Sequence, residues 1–333
     1  MTTHPPTSFH STIQSRYGIG PRYAQLYLET WLGEKTSDIK FIRKVLRKQP
    51  ARMWFEFAMT TNQRGEEFSH RIAPYLSKNA RRYLDVGCGG GGFLVAIAKR
   101  GLEVLGIEIN PQSIAYARAN FQDNHLPECV VQGDILDPEL GSRIGKFDLI
   151  TCNDVIEHVL DAAHAMQHMV SLLNPGGILV MTIPNKSSFG FVARDGHYSL
   201  FGITLLDRAE AIQYHHYFDP NEYGVGDYYE LEYYEKFLQE LGCKIRRLPW
   251  PSPRPLWKMG LVLGKATISQ LDFIFKKKPG LPWDLGQLVL EKYNCYTKAL
   301  SRDSLSLAFH PTHTRQFKEK YLADFWSILA QKE

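Results

Sequence analysis

Five short apolar runs, separated by helical segments between residues 82 and 185, constrain the fold more than any other feature of this chain. The runs are rich in β-branched residues, as strands are. Strands that alternate with helices form a parallel sheet covered on both faces. The sequence therefore predicts an α/β fold with a Rossmann-like, doubly wound and mostly parallel sheet. The runs are YLDVG, EVLGIEI, CVVQGD, FDLITCN and GILVMTIPN.

The segments on either side of this core have other patterns. The N-terminal part carries apolar residues at helical spacing, which predicts short helices forming a cap. Beyond the fifth run, CKIRRLP and SLSLAFH predict the sixth and seventh strands, and a helix is predicted to follow the seventh. The predicted organisation is a helical cap over 1–80 and a seven-stranded domain over 81–333, with a lid at 186–228 and an insertion at 250–303.

Composition excludes several classes of protein. The 39 basic and 35 acidic side chains leave a net charge of only +4, so a nucleic-acid partner is not expected. The five cysteines include no Cys-x-x-Cys pair, which favours a reducing cytoplasm over a disulfide framework. We expect neither a secretion signal nor a membrane span, because no apolar stretch is long enough and the first residues lack a basic, then apolar, pattern.

A glycine cluster follows the first apolar run, in DVGCGGGGF. Gly87, Gly89 and Gly92 satisfy G-x-G-x-x-G, a pattern that lets a ligand approach the backbone at the start of a helix. The pattern is typical of dinucleotide sites, but Asp85 would repel a pyrophosphate. The same carboxylate suits a cationic ligand.

Two further acids follow the next two runs. Glu108 ends the second run, where a carboxylate can accept both hydroxyls of a ribose. Asp134 follows the third run, where it can accept a hydrogen bond from an exocyclic amine. Together with Asp85, these acids would hold an adenosine that carries a sulfonium and an ammonium but no phosphate.

In these motifs the chain resembles the class I S-adenosylmethionine-dependent methyltransferases, from about residue 83 to residue 185. LDVGCGGG, GIEIN, GDI and LLNPGGILVMTIPN match that family's motifs in order. FDLITCNDVIEHVLD resembles the group that contains the ubiquinone-biosynthesis O-methyltransferases. The resemblance implies S-adenosylmethionine as cofactor and a cofactor-binding set of Asp85, Gly87, Cys88, Gly89, Glu108, Ile109, Asp134, Ile135, Asn153 and Asp154.

The resemblance also implies roles within this set. Asp85, Gly87 and Gly89 would line the methionine half of the cofactor. Glu108 would bind the ribose, Asp134 would contact the adenine amine, and Asn153 would pass beneath the sulfonium.

The stretch NDVIEHV suggests the residues that face the transferred methyl group. Asp154, Glu157 and His158 would share one face if the stretch is helical. Such a face could bind a divalent cation, but acids at a helix start also complement the helix dipole, and we expect no metal. His158 is the first candidate for a general base toward an acceptor hydroxyl.

The stretch RDGHYSLFGITLLDRAEAIQYHHYFDP is predicted to supply the acceptor side, because it follows the fifth run. His215 and His216 are the next catalytic candidates after His158. As a group, the polar residues of the stretch suggest an acceptor with hydroxyl or carboxylate groups. They are Arg194, His197, Tyr198, Arg208, His215 and His216.

Basic residues concentrate in DIKFIRKVLRKQPAR and again in FKKKPG. One interpretation is a peripheral contact of residues 40–52 with an anionic membrane or a lipid-linked acceptor; the other is a solvated cap helix. The oligomeric state is not predicted.

The function predicted from the sequence is methyl transfer from S-adenosylmethionine, most readily to an oxygen of a small-molecule or lipid-linked acceptor. Three alternatives stay open. One is a binding or scaffold protein of the same fold without turnover. The others are an RNA methyltransferase and an NAD-dependent oxidoreductase. Asp85 and the NPGG turn disfavour the oxidoreductase.

Overall fold

The computed structural model describes residues 8–33, 39–48, 51–275 and 281–333. Its strands form one seven-stranded sheet in the order β3-β2-β1-β4-β5-β7-β6. This confirms the predicted α/β fold with a mostly parallel sheet. The strands are β1 Arg82–Val86, β2 Glu103–Glu108, β3 Val130–Gln132, β4 Phe147–Asn153, β5 Leu173–Pro184, β6 Cys243–Arg247 and β7 Phe325–Lys332.

Helices precede, connect and follow the strands. They are α1 Ser8–Tyr17, α2 Pro21–Leu32, α3 Ile39–Leu46, α4 Ala51–Met59, α5 Thr61–Ile72, α6 Gly92–Ala98, α7 Pro111–Asp123, α8 Leu140–Ile144, α9 Ala162–Ser171, α10 Phe189–Ala193, α11 Arg208–Phe218, α12 Leu231–Glu240, α13 Met259–Phe275, α14 Trp283–Phe309 and α15 Thr314–Tyr321.

The chain divides into two compact units. Unit 1 comprises Met1–Cys152, His168–Leu179 and Gln331–Glu333, and unit 2 comprises Asn153–Gln167 and Val180–Ala330. The predicted boundaries of the cap, lid and insertion stay predictions.

In unit 1, β1 pairs in parallel with β2 on one side and with β4 on the other. Four of its five residues are buried, as expected for a strand covered on both faces. The turn after β2 is well specified, because Pro111 occupies the first turn of α7 and the Asn110 side chain accepts a hydrogen bond from the Gln112 backbone N–H at 2.8 Å.

The helical character predicted for the N-terminal part is confirmed in the described residues. Helix α2 is tied to α7, since the Tyr23 backbone N–H donates to Asp123 at 3.0 Å. Helix α5 crosses α6 closely enough that a Cβ on Gly65 would lie 2.2 Å from the Gly92 carbonyl oxygen. The N-terminal helices therefore pack on the helices that follow β1 and β2.

Near the C-terminus one predicted strand is wrong, and one strand of the sheet was not predicted. SLSLAFH, predicted as the seventh strand, is the end of the 27-residue helix α14. A helix does follow this segment, α15, and the last strand is β7, which the sequence did not predict. The helical period of α14 is set before this segment, where its buried residues recur every three or four positions: Leu285, Val289, Tyr293, Tyr296 and Leu300.

The predicted turn at NPGG is also corrected. Strand β5 already begins at Leu173, so these four residues lie within it. Gly176 has a φ of 77°, and a positive φ inside a strand is typical of a local bulge. The NPGG residues therefore form an irregularity inside β5, and they do not form a turn before it.

In unit 2, α13 and α14 contribute to a core that also contains residues of α10, α11 and α15. No helix among the described residues combines the length and the apolar character needed to span a membrane. Asp38 of the first basic run and Lys276, Lys277 and Lys278 of the second lie outside the described residues.

The contact between α5 and α6 yields a stability prediction. We expect Gly65→Ala to destabilise unit 1 by about 1 to 3 kcal/mol, because the added methyl group would overlap backbone atoms that cannot move aside. Thermal unfolding followed by circular dichroism measures the effect.

Gly260→Ala is the matched control, because Gly260 is also helical but has nothing within 4 Å of its Cβ position. This variant should be neutral or more stable by up to about 1 kcal/mol. Equal stability of the Gly65→Ala variant and the native protein would contradict the close crossing of α5 and α6.

Candidate functional site

The glycine loop of unit 1 links β1 to α6 in a conformation that other residues adopt poorly. Gly87, Gly89 and Gly91 have φ values of 67°, 50° and 73°. The Cβ position of Gly89 faces open space, so the backbone there is accessible to a ligand. The N–H groups of Gly87 and Cys88 both donate to the Ile107 carbonyl oxygen, at 2.9 and 3.2 Å, which fixes the loop against β2.

The rear of the loop is closed by close packing. A Cβ on Gly90 would lie 2.6 Å from the Tyr23 hydroxyl, and the Gly90 carbonyl accepts from the Asn120 side chain at 2.8 Å. The Asn62 side chain donates in turn to Asn120 at 3.0 Å. Gly90 is therefore required for packing.

Glu108 holds the loop from the neighbouring strand. Its Oε2 accepts from the Gly89 N–H and its Oε1 from the Asn110 N–H, both at 2.9 Å. A carboxylate has about four acceptor positions, so both oxygens can accept further hydrogen bonds. Glu108 thus joins the glycine loop to the start of α7 and keeps capacity for a ligand.

Asp85 lies one strand away and is almost fully buried. Its Oδ1 accepts from the Thr151 hydroxyl at 2.6 Å, and Tyr83 contacts the same hydroxyl. Burial raises the pKa of the Asp85 carboxyl to about 7, although the hydrogen bond from Thr151 opposes this rise. A cation beside Asp85 would favour its ionised form.

The remaining predicted residues of unit 1 also follow strand ends. The side chain of Cys88 points inward, toward Gly106. Ile109 is 64% exposed directly after β2. Asp134 is exposed and accepts from the Leu136 N–H at 2.9 Å, whereas Ile135 is buried. The predicted unit 1 set therefore gathers after β1, β2 and β3, strands that run parallel in the sheet.

Unit 2 contains the other predicted residues, beginning where β4 ends. Asn153 accepts from the Thr182 hydroxyl at 2.8 Å, and its Nδ2 is buried without a hydrogen-bond partner among the described residues. Asp154 has a φ of 58°, which is unusual for a residue other than glycine. The NDVIEHV stretch forms a 3₁₀ turn at Ile156–His158, so the predicted helical face of Asp154, Glu157 and His158 is wrong. A positive φ at Asp154 prevents a helix from starting there.

The structure instead brings Glu157 and His158 together with His197. One donor atom from each of the three lies within 4.8 Å of the others. The Nε2 atoms of His158 and His197 lie 3.8 and 3.9 Å from Glu157 Oε1, and their rings meet edge to face. We call these three residues the Glu-His-His cluster.

Glu157 is fully buried, and neither carboxylate oxygen has a hydrogen-bond partner among the described residues. Burial raises the pKa of Glu157 well above its usual range, and the nearby charge of Asp154 adds to the rise. Burial also lowers the pKa of His197, with a further contribution from His158. A proton or a metal cation bound in the cluster would therefore satisfy the two oxygens of Glu157, which have no hydrogen-bond partner among the described residues.

His158 is oriented for proton transfer. Its Nδ1 lies 2.6 Å from the Gly224 carbonyl, and because a carbonyl only accepts, Nδ1 carries the hydrogen. In the neutral ring the proton-accepting atom is then Nε2. With 41% of its side chain exposed, His158 is also accessible.

His197 was one of six polar candidates in the predicted acceptor stretch, and nothing in its spacing singled it out. The Asp195 carboxylate positions it by accepting from the N–H groups of His197, Tyr198 and Leu200 at 2.7 to 2.8 Å. An aspartate two residues before a histidine in a loop is typical of such a turn and was the available signal.

His215 and His216 occupy the last turn of α11. His215 is 1% exposed, packs against the rings of Tyr198 and Tyr223, and has no hydrogen bond to either ring nitrogen in the described structure. His216 is exposed. Their catalytic roles stay predictions, and neither belongs to the Glu-His-His cluster.

A cavity of about 640 Å³ in unit 2 contains none of the predicted residues. It is lined by β6, β7, α15 and the proline-rich stretch after β6, including Leu248, Pro249 and Trp326. Size alone does not make it the reaction site, because the Glu-His-His cluster, with the raised pKa of Glu157 and its unsatisfied oxygens, lies elsewhere.

The chain is similar to several known proteins. Residues 59–248 match the family described as Methyltransferase domain. Two similar proteins are the ubiquinone biosynthesis O-methyltransferases of Psychrobacter arcticus, 31% identical over 42% of this chain and 54% of the relative, and of Xanthomonas campestris pv. campestris, 31% identical over 44% and 59%. The matched part thus spans little more than half of these relatives.

A solved structure similar to this chain is a SAM-dependent methyltransferase from Archaeoglobus fulgidus. It is 17% identical, with a TM-score of 0.48 over 81% of this chain and 94% of that chain.

The buried carboxyl of Glu157 yields a pH prediction. Because its pKa is higher in the folded protein than in the unfolded chain, the folded protein binds this proton more tightly, and the associated stability is lost as pH rises. We expect Glu157→Gln, which stays neutral, to melt at a higher temperature than the native protein at pH 8, with the difference shrinking at pH 5. Melting temperatures across this pH range provide the measurement.

Glu240→Gln is the matched control, because Glu240 lies on α12 with 59% of its side chain exposed. Its melting temperature should follow that of the native protein at every pH. A Glu157→Gln variant less stable than native at pH 8 would mean that the carboxylate is ionised and paired.

Proposed function

Because this chain belongs to the methyltransferase-domain family, we propose that it transfers the methyl group of S-adenosylmethionine to an oxygen atom of a small-molecule acceptor. The observation that carries the choice of oxygen is His158, whose Nδ1–H is engaged by the Gly224 carbonyl and whose Nε2 can take a hydroxyl proton. Methyl transfer to nitrogen or carbon, and a lipid-linked acceptor, are the alternatives.

The glycine loop and its acids fit the cofactor. The open backbone at Gly89 leaves room for a ligand at the end of β1, and Glu108 there has free acceptor capacity for ribose hydroxyls. Asp85 would face the positive methionine portion, whose charge favours the ionised carboxylate. Asp134 would accept from the adenine amine, and Asn153 would lie beneath the sulfonium.

When bound, the cofactor supplies an activated methyl group on a positive sulfur. The acceptor oxygen forms a bond to the methyl carbon while the carbon–sulfur bond breaks and its electron pair stays on sulfur. In this proposal His158 Nε2 takes the hydroxyl proton, so that the attacking oxygen is not left positive. The protein mainly aligns the reacting atoms and excludes water.

Glu157 would assist His158 through charge. A protonated His158 ring favours the ionised form of a carboxylate 3.8 Å away. Proton uptake by His158 and proton loss by Glu157 are therefore coupled. The Nε2 of His197 lies 3.9 Å from the same oxygen, Oε1, and its Nδ1 lies 3.1 Å from the Tyr228 hydroxyl.

A divalent cation is a second candidate occupant of the Glu-His-His cluster, favoured by the unsatisfied oxygens of Glu157. One carboxylate and two imidazoles are a ligand set that zinc accepts. A cation there would polarise the acceptor hydroxyl and replace His158 as the activating group.

The acceptor can be sought directly. Purified protein incubated with isotopically labelled S-adenosylmethionine and fractionated cell extract should label a small molecule through an ether or ester oxygen. Label recovered in RNA would favour the RNA alternative. Cofactor binding without label in any fraction would favour a binding or scaffold protein.

The cofactor prediction concerns Glu108. Replacing it with Ala should weaken S-adenosylmethionine binding by roughly ten- to a hundredfold, or about 1.5 to 3 kcal/mol, because hydrogen bonds to a charged group are lost. Isothermal titration calorimetry measures this affinity, and NAD should show no binding.

Glu103→Ala is the control, since Glu103 lies at the opposite end of β2 with 67% of its side chain exposed. Its affinity should equal that of the native protein. Unchanged affinity in the Glu108→Ala variant would exclude Glu108 as the ribose ligand, and NAD binding would revive the oxidoreductase alternative.

The catalytic prediction concerns His158. Replacing it with Ala should lower turnover by about a hundredfold or more while leaving cofactor affinity within a few fold, because only proton removal is lost. Steady-state turnover rates at saturating cofactor measure the loss. The surface variant His310→Ala is the control and should turn over normally.

A chelator separates the two roles of the cluster. We expect it to leave the rate unchanged if His158 acts as a base. Loss of activity that added zinc or magnesium restores, with one equivalent of metal bound, would establish the cation role. Normal turnover in the His158→Ala variant would make His215 and His216 the next residues to replace.

A further inference from the structure

Helix α13 is apolar on both of its long faces. Its inner face packs into the core of unit 2 through Met259, Leu263, Ala266 and Phe273, which recur every three or four residues. A helix that is apolar all round is normally buried all round. The opposite face of α13 is not buried.

This outer face carries large apolar side chains at the same helical spacing. Leu261 and Ile268 are each 61% exposed, and Leu271 is 46% exposed. Trp257, in the turn before α13 and four residues before Leu261, is 78% exposed. We call these four residues the outer face of α13. A contiguous exposed apolar surface of this kind marks a binding surface.

Positive charge accompanies the outer face. Of the five lysines in residues 256–283, Lys258 and Lys265 lie among the described residues, and the single aspartate, Asp272, is exposed on α13. Lys258 lies over the Trp257 ring at 5.1 Å, and Lys265 is exposed on α13 itself. Aliphatic side chains with flanking tryptophan and lysine suit the boundary between lipid headgroups and acyl chains. Anionic headgroups would add electrostatic attraction for the lysines.

We propose that the outer face of α13 attaches this protein peripherally to an anionic lipid bilayer, with the helix lying in the plane of the interface. The attachment is independent of the methyl acceptor. It would hold for a water-soluble acceptor as well as for a lipid-linked one.

The basic helix α3, which the sequence offered for this role, is less suited to it. Its apolar residue Ile42 is fully buried, and Leu46 packs against the core of the N-terminal helices. What α3 exposes is chiefly charge, including Arg43 and Lys44. Helix α13 presents apolar surface and charge together.

Vesicle sedimentation with the full chain tests the proposal. The native protein should bind vesicles of phosphatidylcholine with phosphatidylglycerol, and should bind pure phosphatidylcholine vesicles about tenfold or more weakly, because the lysines lose their attraction. The double variant Leu261→Ser, Ile268→Ser should lose at least about tenfold in affinity for the anionic vesicles. Its melting temperature and cofactor affinity should match the native protein.

Met53→Ser is the matched control, because Met53 is 41% exposed on α4 and lies outside the outer face. It should bind vesicles like the native protein. Retained binding in the double variant, or no binding by the native protein, would overturn the proposal.

Self-association is the competing explanation. Gly260 and Gly264 have open space at their Cβ positions and would let a second copy of α13 approach closely. A native dimer that the double variant abolishes, without vesicle binding, would assign the outer face to a second copy and overturn the lipid proposal. None of these outcomes depends on methyl transfer.

Discussion

Glu108 is the group on which the arrangement of unit 1 depends. Its two oxygens accept from the N–H groups of Gly89 and Asn110, so one side chain fixes both the glycine loop and the entry to α7. A loop with three positive φ values has little intrinsic preference for a single conformation and needs such an external tie. The same carboxylate is the proposed ribose ligand. The Glu108 carboxylate would therefore both order the glycine loop and bind the cofactor. A bound cofactor would further stabilise a loop conformation that the protein already holds.

The first five strands could be predicted because apolar runs and glycine-bearing junctions specify them together. The predicted class I S-adenosylmethionine-dependent methyltransferase family and its cofactor are confirmed by the family match over residues 59–248. The prediction failed at SLSLAFH, where alternation over a few residues masked the longer period of α14. Strand β7 was not predicted, because a short apolar run fits a buried strand and a buried helix equally well. Such a run becomes a strand or a helix according to the segments it pairs or packs with, and the local sequence does not specify those partners.

The candidate site shows the same limit more sharply. Asp85, Glu108 and Asp134 could be assigned positions because each lies at or just beyond the carboxyl end of a strand, and parallel strands end at one edge of the sheet. The Glu-His-His cluster could not be predicted in this way. It needs the positive φ of Asp154 and the turn around Asp195, which together bring residues 157 and 197 into contact. Sequence periodicity predicts where a residue lies within one helix or strand. It does not predict which residues of different segments an irregular loop brings into contact.

The path of the chain between the two units has a consequence for synthesis. Neither unit is a continuous segment, since the chain passes from one to the other after Cys152, Gln167, Leu179 and Ala330. Lys332, near the end of β7, donates to the carbonyl oxygens of Val170 and Leu173 in unit 1. A ribosome releases residues in order, so unit 1 cannot be completed before almost the whole chain has emerged. The sheet therefore stays unfinished until the residues of β7 have been synthesised, and folding is better described as one late closure than as the completion of two successive domains.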